Sequence, residues 1–419
     1  MLTKNPLIRT LTELRGNPRI CVYTEPMWGL SMNLCLPYAS VYMLALGLGD
    51  MQIGIVASIY MFSQMVFAFL SGAVTDKLGR RRATALFDFL SWSVPCLIWA
   101  FAQGFWFFAV AALLNGMMKI PTVSWDCLLV EDAEKSKITQ IYSWVVICGN
   151  LSALFAPIAS VMVSQLTLVP AIRILYINAF IVMTAKLLIL FKFSTETRTG
   201  IVRRRETAGV PMSKILSGYG GVIKRMFRSR GTVFAIVISV LVEIVAMINL
   251  TFWQIIASRR IGLSDALLPI FPMLRSILAI IFFFTVIAHI KQSKLKNPML
   301  LGFFSYIAGQ LLLLCVPGGA AGYALLCVSL LFESLGAAML NTLRESLVAI
   351  HVEPAERSRI LAVLQTLVMF VSVPFGYIGG WLSSVSRVLP FVMNISLLAL
   401  GVAATAVFFR RAKSVGVSS

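Results

Sequence analysis

The chain has 419 residues, of which 59% are hydrophobic and only 13% are charged. A soluble domain of this size needs a larger polar surface, so the composition excludes a soluble globular protein. The formal net charge of +19 does not indicate a nucleic-acid partner, because most of the basic residues flank apolar segments and there face anionic lipid. The seven cysteines fall within apolar segments and include no CxxC pair, so we expect neither disulfides nor a metal site. We also expect no cofactor.

Apolar runs of roughly 20 residues recur along the chain, each long enough to cross a hydrocarbon core about 30 Å thick. Examples are 51–74, 83–102, 170–191, 231–257 and 389–409. Counting all such runs predicts an all-α polytopic membrane protein with about twelve transmembrane helices, which we number span 1 to span 12. Lysine and arginine are concentrated on one side of these spans. The positive-inside rule therefore predicts a multi-pass protein of the cell membrane with both termini in the cytoplasm.

One long polar connection separates two sets of six spans. We therefore predict an N-terminal six-helix bundle at 1–191, a cytoplasmic linker at 192–230, and a C-terminal six-helix bundle with a short cytoplasmic tail at 231–419. The turn after the fourth span of each set carries a similar charged sequence, EDAEKSKI at 131–138 and EPAERSRI at 353–360. Because both copies occupy the same place in their set, they indicate an internal duplication and two pseudo-symmetric bundles.

The turn between spans 2 and 3 reads GAVTDKLGRR, residues 72–81. The pattern Gly-x-x-x-Asp-Lys/Arg-x-Gly-Arg-Arg at this place resembles the signature loop of the major facilitator superfamily. With the twelve spans, the six-plus-six repeat and the long central connection, the resemblance covers nearly the whole chain. It implies transport by alternating access and does not indicate the substrate. The positions that carry it are Gly72, Asp76, Lys77, Gly79, Arg80 and Arg81.

In this family the loop holds the two halves together on the cytoplasmic side, so the resemblance implies a cytoplasmic gate. Gly79 suits a turn that needs positive φ, and Asp76 can pair with Arg80 or Arg81 or lie at a helix N-terminus. Family members often carry Glu followed by Arg in the two repeated turns. Whether Glu131 or Glu134 meets the arginines stays open, as does a solvated turn worth under about 1 kcal/mol per pair. The candidates in these turns are Glu131, Glu134, Glu353, Glu356 and Arg357.

Ionisable side chains inside the spans cost several kcal/mol unless they are paired or hydrated, so each is a candidate for function. Glu243, Glu333, Lys119 and Arg275 have charges that sum to zero, and we expect Arg275 to pair with one of the carboxylates. The resemblance implies that spans 1, 4, 7 and 10 line a central cavity. The candidates for substrate or proton binding are Glu243, Glu333, Lys119, Arg275, Glu25, Asp126, Asn33, Asn115, Asn249, Asn341 and Gln254.

Two further charges, Asp88 and Lys186, are expected to pair or to reach the membrane surface as structural residues. A carboxyl group removed from water takes up protons more readily. We therefore expect proton coupling through Glu243 and Glu333, while sodium coupling stays open.

These features predict a secondary active transporter for a small organic solute that works as a monomer in contact with membrane lipid. The apolar, methionine-rich spans and Glu25 favour export of amphiphilic compounds, whereas the asparagines suit import of a polar solute such as a sugar. A non-transporting sensor or a membrane enzyme is the remaining alternative. The sequence lacks HExxH and nucleophile-elbow motifs, which disfavours an enzyme.

Overall fold

The computed structural model of the chain describes residues 11–134, 137–216, 224, 226–286, 295–351 and 357–414. Within these ranges the chain is almost entirely helical and contains no strand. Eleven helices are long and apolar enough to cross a membrane. Span 1 is helical as well, but the 3-10 turn Leu36–Tyr38 divides it. Together these helices give the described part of the chain the twelve spans that the apolar runs predict.

Spans 1 to 6 differ in how continuous they are. Span 1 contains Pro26 within its helix, span 3 contains the π-helical turn Phe89–Ser93, and span 5 restarts at Ala156, next to a proline that has no N–H to donate. Their bounds are Gly16–Cys35 continued by Ala39–Ala45, Asp50–Leu78, Arg80–Ala100, Phe105–Val130, Ile138–Ala153 continued by Ala156–Leu166, and Leu168–Phe193.

Two short helices, Arg198–Glu206 and Met212–Leu216, follow span 6. Spans 7 to 12 then complete the fold, and span 7 ends in a second π-helical turn, Ala257–Ile261. Their bounds are Arg230–Ile261, Ile270–Thr285, Lys296–Cys315, Tyr323–His351, Arg357–Val385 and Leu389–Ser414.

The chain divides into two compact units. Unit 1 comprises Met1–Gly47 and Ile59–Tyr219, and unit 2 comprises Leu48–Ser58 and Gly220–Ser419. The change from one unit to the other at Tyr219 falls within the connection 192–230. The start of span 2, by contrast, belongs to unit 2, which the sequence did not indicate.

Small residues explain why the start of span 2 packs with unit 2. A Cβ atom at position 54 would lie 2.6 Å from the Cα atom of Gly380 on span 11, so only glycine permits this separation of the helices. The close approach of spans 2 and 11 also lets Ser58 bond to the span 11 backbone. Its hydroxyl donates to the Val373 carbonyl at 2.7 Å and accepts from the Tyr377 N–H at 2.8 Å.

A polar contact also joins spans 2 and 11 at the first turn of span 2. The Ser383 hydroxyl donates to Asp50 Oδ2 at 2.7 Å, and Arg387 Nε lies 3.5 Å from the same oxygen. The Asp50 carboxylate is almost fully buried, so these two donors satisfy a charge that has left water.

In unit 1, span 4 packs closely against span 2. Gly116 ends the first helical segment of span 4, and a Cβ atom there would lie 2.7 Å from the Gln64 backbone nitrogen. Large apolar side chains such as Ile181, Leu188 and Val146 are exposed on spans 5 and 6, as expected for helix faces that contact lipid acyl chains.

We expect Gly116→Ala to destabilise the protein, because its methyl group would force spans 2 and 4 apart. Overpacking of this kind costs about 1–3 kcal/mol. The matched control is Gly149→Ala on span 5, where the added methyl group meets no atom within 4 Å and alanine favours the helix. Thermal unfolding of the purified variants in detergent measures the difference. Equal melting temperatures for the two variants would contradict the close packing.

Candidate functional site

Arg80 is the centre of a charge cluster at the turn between spans 2 and 3. Gly79 has a φ of +85°, which turns the chain so that span 3 begins at Arg80. The Arg80 side chain is 5% exposed, and its Nη1 lies 2.8 Å from Asp76 Oδ1. Its Nη2 lies 3.1 Å from Glu131 Oε1, and its Nε lies 3.2 Å from both Glu131 oxygens. Of the two glutamates that the sequence left open, the structure brings Glu131 to Arg80.

Arg81 and Glu134 make other contacts. Arg81 Nε donates to the Phe191 carbonyl at 3.0 Å, and the guanidinium lies 4.2 Å from the centre of the Phe191 ring. Glu134 is 69% exposed and lies 3.3 Å from Lys137 Nζ. Hydrogen bonds to Glu13 and then to Glu134 raise the pKa of Lys137, which stands just before span 5. Arg81 is thus held by span 6, and Glu134 forms a surface pair.

Sequence reasoning missed Glu196, which lies just after span 6. Its Oε1 accepts from the Arg80 backbone N–H at 2.9 Å and its Oε2 accepts from the Arg81 N–H at 3.2 Å. A carboxylate in this position satisfies N–H groups that have no partner in the first turn of a helix and interacts favourably with the helix dipole. A signal was present, because Glu196 and Glu206 are the only acidic residues in the basic stretch 192–230.

Thr197 connects this carboxylate cluster to the helix that follows. Its hydroxyl donates to Glu131 Oε2 and accepts from the Gly200 N–H at 2.9 Å, which caps the helix Arg198–Glu206. A Cβ atom at position 200 would lie 2.8 Å from the Arg80 Cδ atom. At the other end of the helix, the Thr207 hydroxyl donates to the Asp76 carbonyl at 3.2 Å. We call Asp76, Arg80, Glu131, Glu196 and Thr197 the Arg80 cluster.

The remaining gate candidates are not part of the described cluster. Gly72 and Lys77 lie on the last two turns of span 2. Glu353 and Glu356 lie outside the described residues. Arg357 begins span 11, but its side chain is also outside the described part of the chain.

In unit 2, Glu333 lies in a buried polar network. Its carboxylate is 4% exposed, and Oε2 lies 2.8 Å from Arg275 Nη2. Its other oxygen accepts from Gln310 Nε2 at 2.7 Å. Arg275 is 31% exposed, with its guanidinium 4.8 Å from the centre of the Trp253 ring. The pairing expected for Arg275 is therefore with Glu333.

The network continues to spans 7, 9 and 12. Gln310 Nε2 also donates to Asn249 Oδ1 at 3.1 Å, and Asn249 Nδ2 donates to the Tyr306 hydroxyl at 3.0 Å. Asn394 Nδ2 lies 3.4 Å from Gln310 Oε1. We call Arg275, Glu333, Gln310, Asn249, Tyr306 and Asn394 the Glu333 network. Gln310 and Tyr306 had not been singled out from the sequence, because each looks like one polar residue in an apolar helix.

Glu243, the second carboxylate expected to carry protons, lies on span 7 and pairs with Arg344 of span 10. The distance between Glu243 Oε2 and Arg344 Nη1 is 3.3 Å, and the two side chains are 33% and 24% exposed. This pair is more accessible than the pair of Glu333 and Arg275. Arg344 is not among the candidates that the sequence provided.

The charged candidates of unit 1 separate into different environments. Glu25 Oε2 lies 3.3 Å from Lys186 Nζ, and the Lys186 side chain is buried while that of Glu25 is 12% exposed. Asp126 accepts from the Tyr142 hydroxyl at 2.6 Å. Lys119 begins the second helical segment of span 4 and is half-buried. Among the described residues, Glu25 therefore pairs with Lys186 and Asp126 with Tyr142.

Most of the candidate amides bond to the backbone of their own unit. Asn33 donates to the Gly29 carbonyl at 2.8 Å, and Asn115 donates to the Ser91 carbonyl. Asn341 is exposed. Gln254 is buried, and its Oε1 has no hydrogen-bond donor among the described residues.

Comparison with a family model identifies the protein family. The model of the Major Facilitator Superfamily matches residues 27–321, which is more than half of the chain. The chain belongs to the Major Facilitator Superfamily. It is thus a multi-pass membrane protein of a transporter family, and the resemblance carried by the turn 72–81 is confirmed.

Solved structures of other Major Facilitator Superfamily proteins share the fold. A mutant of the nucleoside transporter NupG has a TM-score of 0.72 at 16% identity, covering 94% of this chain and 99% of that chain. A POT family transporter in complex with 5-aminolevulinic acid has a TM-score of 0.70 at 13% identity, covering 95% and 97%. The human organic anion transporter MFSD10 has a TM-score of 0.64 at 16% identity, covering 96% and 100%. No curated protein matches the chain in sequence.

We expect Glu131→Gln to destabilise this Major Facilitator Superfamily protein, because it removes the carboxylate, 16% exposed, that pairs with the buried Arg80. Breaking a buried ion pair costs about 3 kcal/mol or more. Glu134→Gln is the matched control in the same turn, and its exposed pair is worth under about 1 kcal/mol. Melting temperatures in detergent compare the two. If Glu134→Gln lowers the melting temperature as much as Glu131→Gln does, the assignment of the decisive carboxylate is wrong.

A second substitution tests the cap on the helix Arg198–Glu206. Thr197→Val keeps the shape of the side chain but removes the bonds to Glu131 and Gly200, and loss of such a cap costs about 1 kcal/mol. We expect faster proteolysis within 198–206 and a lower melting temperature. Thr195→Val is the control, since the bonds from residue 195 to Asn17 use only its backbone. Equal proteolysis of both variants would show that Thr197 does not fix this helix.

Proposed function

We propose that the chain is a proton-coupled secondary active transporter that moves a small organic solute by alternating access. The observation that carries this proposal is the ion pair of Glu333 and Arg275. An ion pair inside a membrane protein is costly to form unless it is fully hydrogen-bonded. Gln310 supplies the remaining bond to Glu333, whereas Arg275 keeps part of its surface free. This difference in exposure supports a role in which Glu333 takes up a proton and Arg275 then changes its partner.

Protonation of Glu333 has a direct consequence for Arg275. A neutral carboxyl group no longer compensates the guanidinium, which then seeks water or an anion in its place. Because Arg275 stands over the Trp253 ring and is 31% exposed, it can turn away without first breaking the buried amide bonds of the network. We therefore propose that proton binding at Glu333 releases Arg275 toward an acidic group of the substrate.

Glu243 and Arg344 form a second ion pair that protonation could break. They join span 7 to span 10 at 3.3 Å and are both partly exposed, so a proton can reach Glu243 from water. Loss of the negative charge on Glu243 would loosen spans 7 and 10. We propose Glu243 as the second carboxylate of the coupling, as expected from the sequence.

The placement of the amides favours an amphiphilic solute over a sugar. A site for a polyol needs many free hydrogen-bonding groups, but Asn33, Asn115 and Asn249 already bond to their own unit. An aromatic ring beside a partly exposed guanidinium suits an apolar compound that carries an acidic group. The organic anion transporter with the same fold is in line with this class. We propose export as the direction, as the apolar, methionine-rich spans suggest.

The Arg80 cluster has a role in this proposal as a two-state latch. Its ion pairs join the ends of spans 2, 3 and 4 to the segment after span 6, and such pairs can break and re-form in a conformational change. We propose that the protein lies in the cell membrane with both termini in the cytoplasm, as the charge asymmetry predicts, and works as a monomer. We propose transport and not catalysis as its activity.

Glu333→Gln tests the proposed coupling in proteoliposomes. A thermal-shift screen with amphiphilic organic acids, nucleosides and sugars first provides a substrate. A pH gradient of one unit is worth about 1.4 kcal/mol, or about tenfold accumulation, for each proton coupled. We expect Glu333→Gln to lose this accumulation but to retain exchange of substrate without a gradient. Glu206→Gln, an exposed acid in a surface pair, is the control and should behave like the wild type.

The same assay includes results that overturn the proposal. If Glu333→Gln and Glu243→Gln both retain accumulation driven by the pH gradient, the coupling residues are wrong. Accumulation that follows a sodium gradient and ignores pH would show that the coupling ion is sodium. Binding by sugars alone in the screen would replace the proposed substrate class.

A further inference from the structure

Unit 1 contains three charged side chains on spans 1, 3 and 6, and span 6 packs against both of the other two spans. Lys186 Nζ lies 3.3 Å from Glu25 Oε2, and the two side chains are only 4% and 12% exposed. Asp88 of span 3 is 7% exposed and interacts electrostatically with both Lys186 and Glu25. We call these residues the Lys186 triad. The sequence does not indicate this triad, because the three residues are far apart along the chain and each is surrounded by apolar residues.

The charges of the Lys186 triad do not balance when all three groups are ionised. Two carboxylates then face one ammonium, which leaves one buried negative charge. Glu25 makes the direct ion pair with Lys186, whereas Asp88 has no hydrogen bond and no ion pair within 4.0 Å in the described part of the chain. An unpaired carboxylate that has left water costs several kcal/mol, and uptake of a proton removes this cost.

The other titratable groups around the triad do not supply the missing positive charge. The Cys21 thiol of span 1 interacts electrostatically with all three members of the triad, and the Cys148 thiol of span 5 does so with Glu25. Neither thiol carries a positive charge in any protonation state. On span 4, the ring of Trp125 lies 5.9 Å from Lys186 Nζ. Lys186 is therefore the cation that the two carboxylates share.

The backbone next to Asp88 departs from a regular α-helix. The π-helical turn Phe89–Ser93 follows it directly, and such turns are frequent at functional sites. Ser91 and Ser93 are fully buried, and their hydroxyl oxygens have no hydrogen-bond partner among the described residues. Buried polar groups of this kind are usually satisfied by internal water, which is also what a proton needs to reach a buried acid.

We propose that the Lys186 triad is a proton-binding site, in which Asp88 holds one proton while Glu25 stays ionised beside Lys186. Proton binding forms one O–H bond on Asp88 and changes the charge of the triad from −1 to zero. Release of the proton to water reverses both changes and leaves two carboxylates competing for one ammonium. The role of the site in transport rests on the proposed function, but the bound proton can be measured without a substrate.

Infrared spectroscopy of the purified protein tests this site directly, because a protonated carboxyl group has a C=O band that a carboxylate lacks. At neutral pH we expect Asp88→Asn to lose one carboxyl band. Glu25→Gln should lose a band too, since Asp88 then ionises to pair with Lys186. Lys186→Met should gain one, because neither acid then has a cation. Asp132→Asn, an exposed acid, is the matched control and should leave the bands unchanged.

The pattern over the variants decides the proposal, and folding of each is checked by its melting temperature. An unchanged carboxyl band in both Asp88→Asn and Glu25→Gln would overturn it, as would Lys186→Met without an added band. If a variant does not fold, the wild type supplies a second measurement. Raising the pH should then release the proton from Asp88 and change the fluorescence of Trp125, identified by its loss in Trp125→Phe. A constant signal from about pH 5 to about pH 9 would count against the site.

The infrared result is independent of the transport assay. Proton-driven transport without the expected band pattern would refute the triad and leave the proposed function standing. The expected band pattern in a protein that ignores pH gradients would establish the triad as a proton site and refute the coupling.

Discussion

Charges that leave water in this protein need partners, and this constraint links its helix packing to its chemistry. Two such pairs join different spans, Glu25 with Lys186 and Arg275 with Glu333, and a more accessible pair joins Glu243 to Arg344. Breaking one buried partner of such a pair costs more than most apolar contacts in the core. The helices therefore pack where charges can be matched, and a change in protonation acts directly on their packing.

The fold was largely predictable from the sequence, whereas the partners of the charged residues were only partly so. Apolar length alone indicates the spans, and the spacing of Asp76 and Arg80 puts them one helical turn apart. Pairing between distant spans, as for Glu243 and Arg344, depends on the rotation and depth of each helix, which no local pattern records. The same limit hid Gln310 and the membership of residues 48–58 in unit 2.

The Arg80 cluster and the Glu333 network satisfy buried charge in different ways. Around Arg80, the donors include two backbone N–H groups at the start of span 3, and the segment between span 6 and the helix Arg198–Glu206 brings Glu196 to them. Around Glu333, the donors are side chains on neighbouring spans. The first arrangement can separate only if a chain segment moves away. The second can change when one proton is added, because Arg275 and Gln310 can rotate within fixed helices.

Charge balance gives a proton opposite effects at the two buried acids. The pair of Arg275 and Glu333 is neutral without a proton and carries +1 with one, whereas the Lys186 triad carries −1 without a proton and is neutral with one. Both groups are neutral together only when Asp88 holds a proton and Glu333 does not. In that state neither of these two groups carries an uncompensated charge, which lowers the electrostatic cost of burying them. In the proposed coupling, protonation of Glu333 leaves Arg275 without its anion, and an acidic group on the substrate would replace that anion more fully than water does.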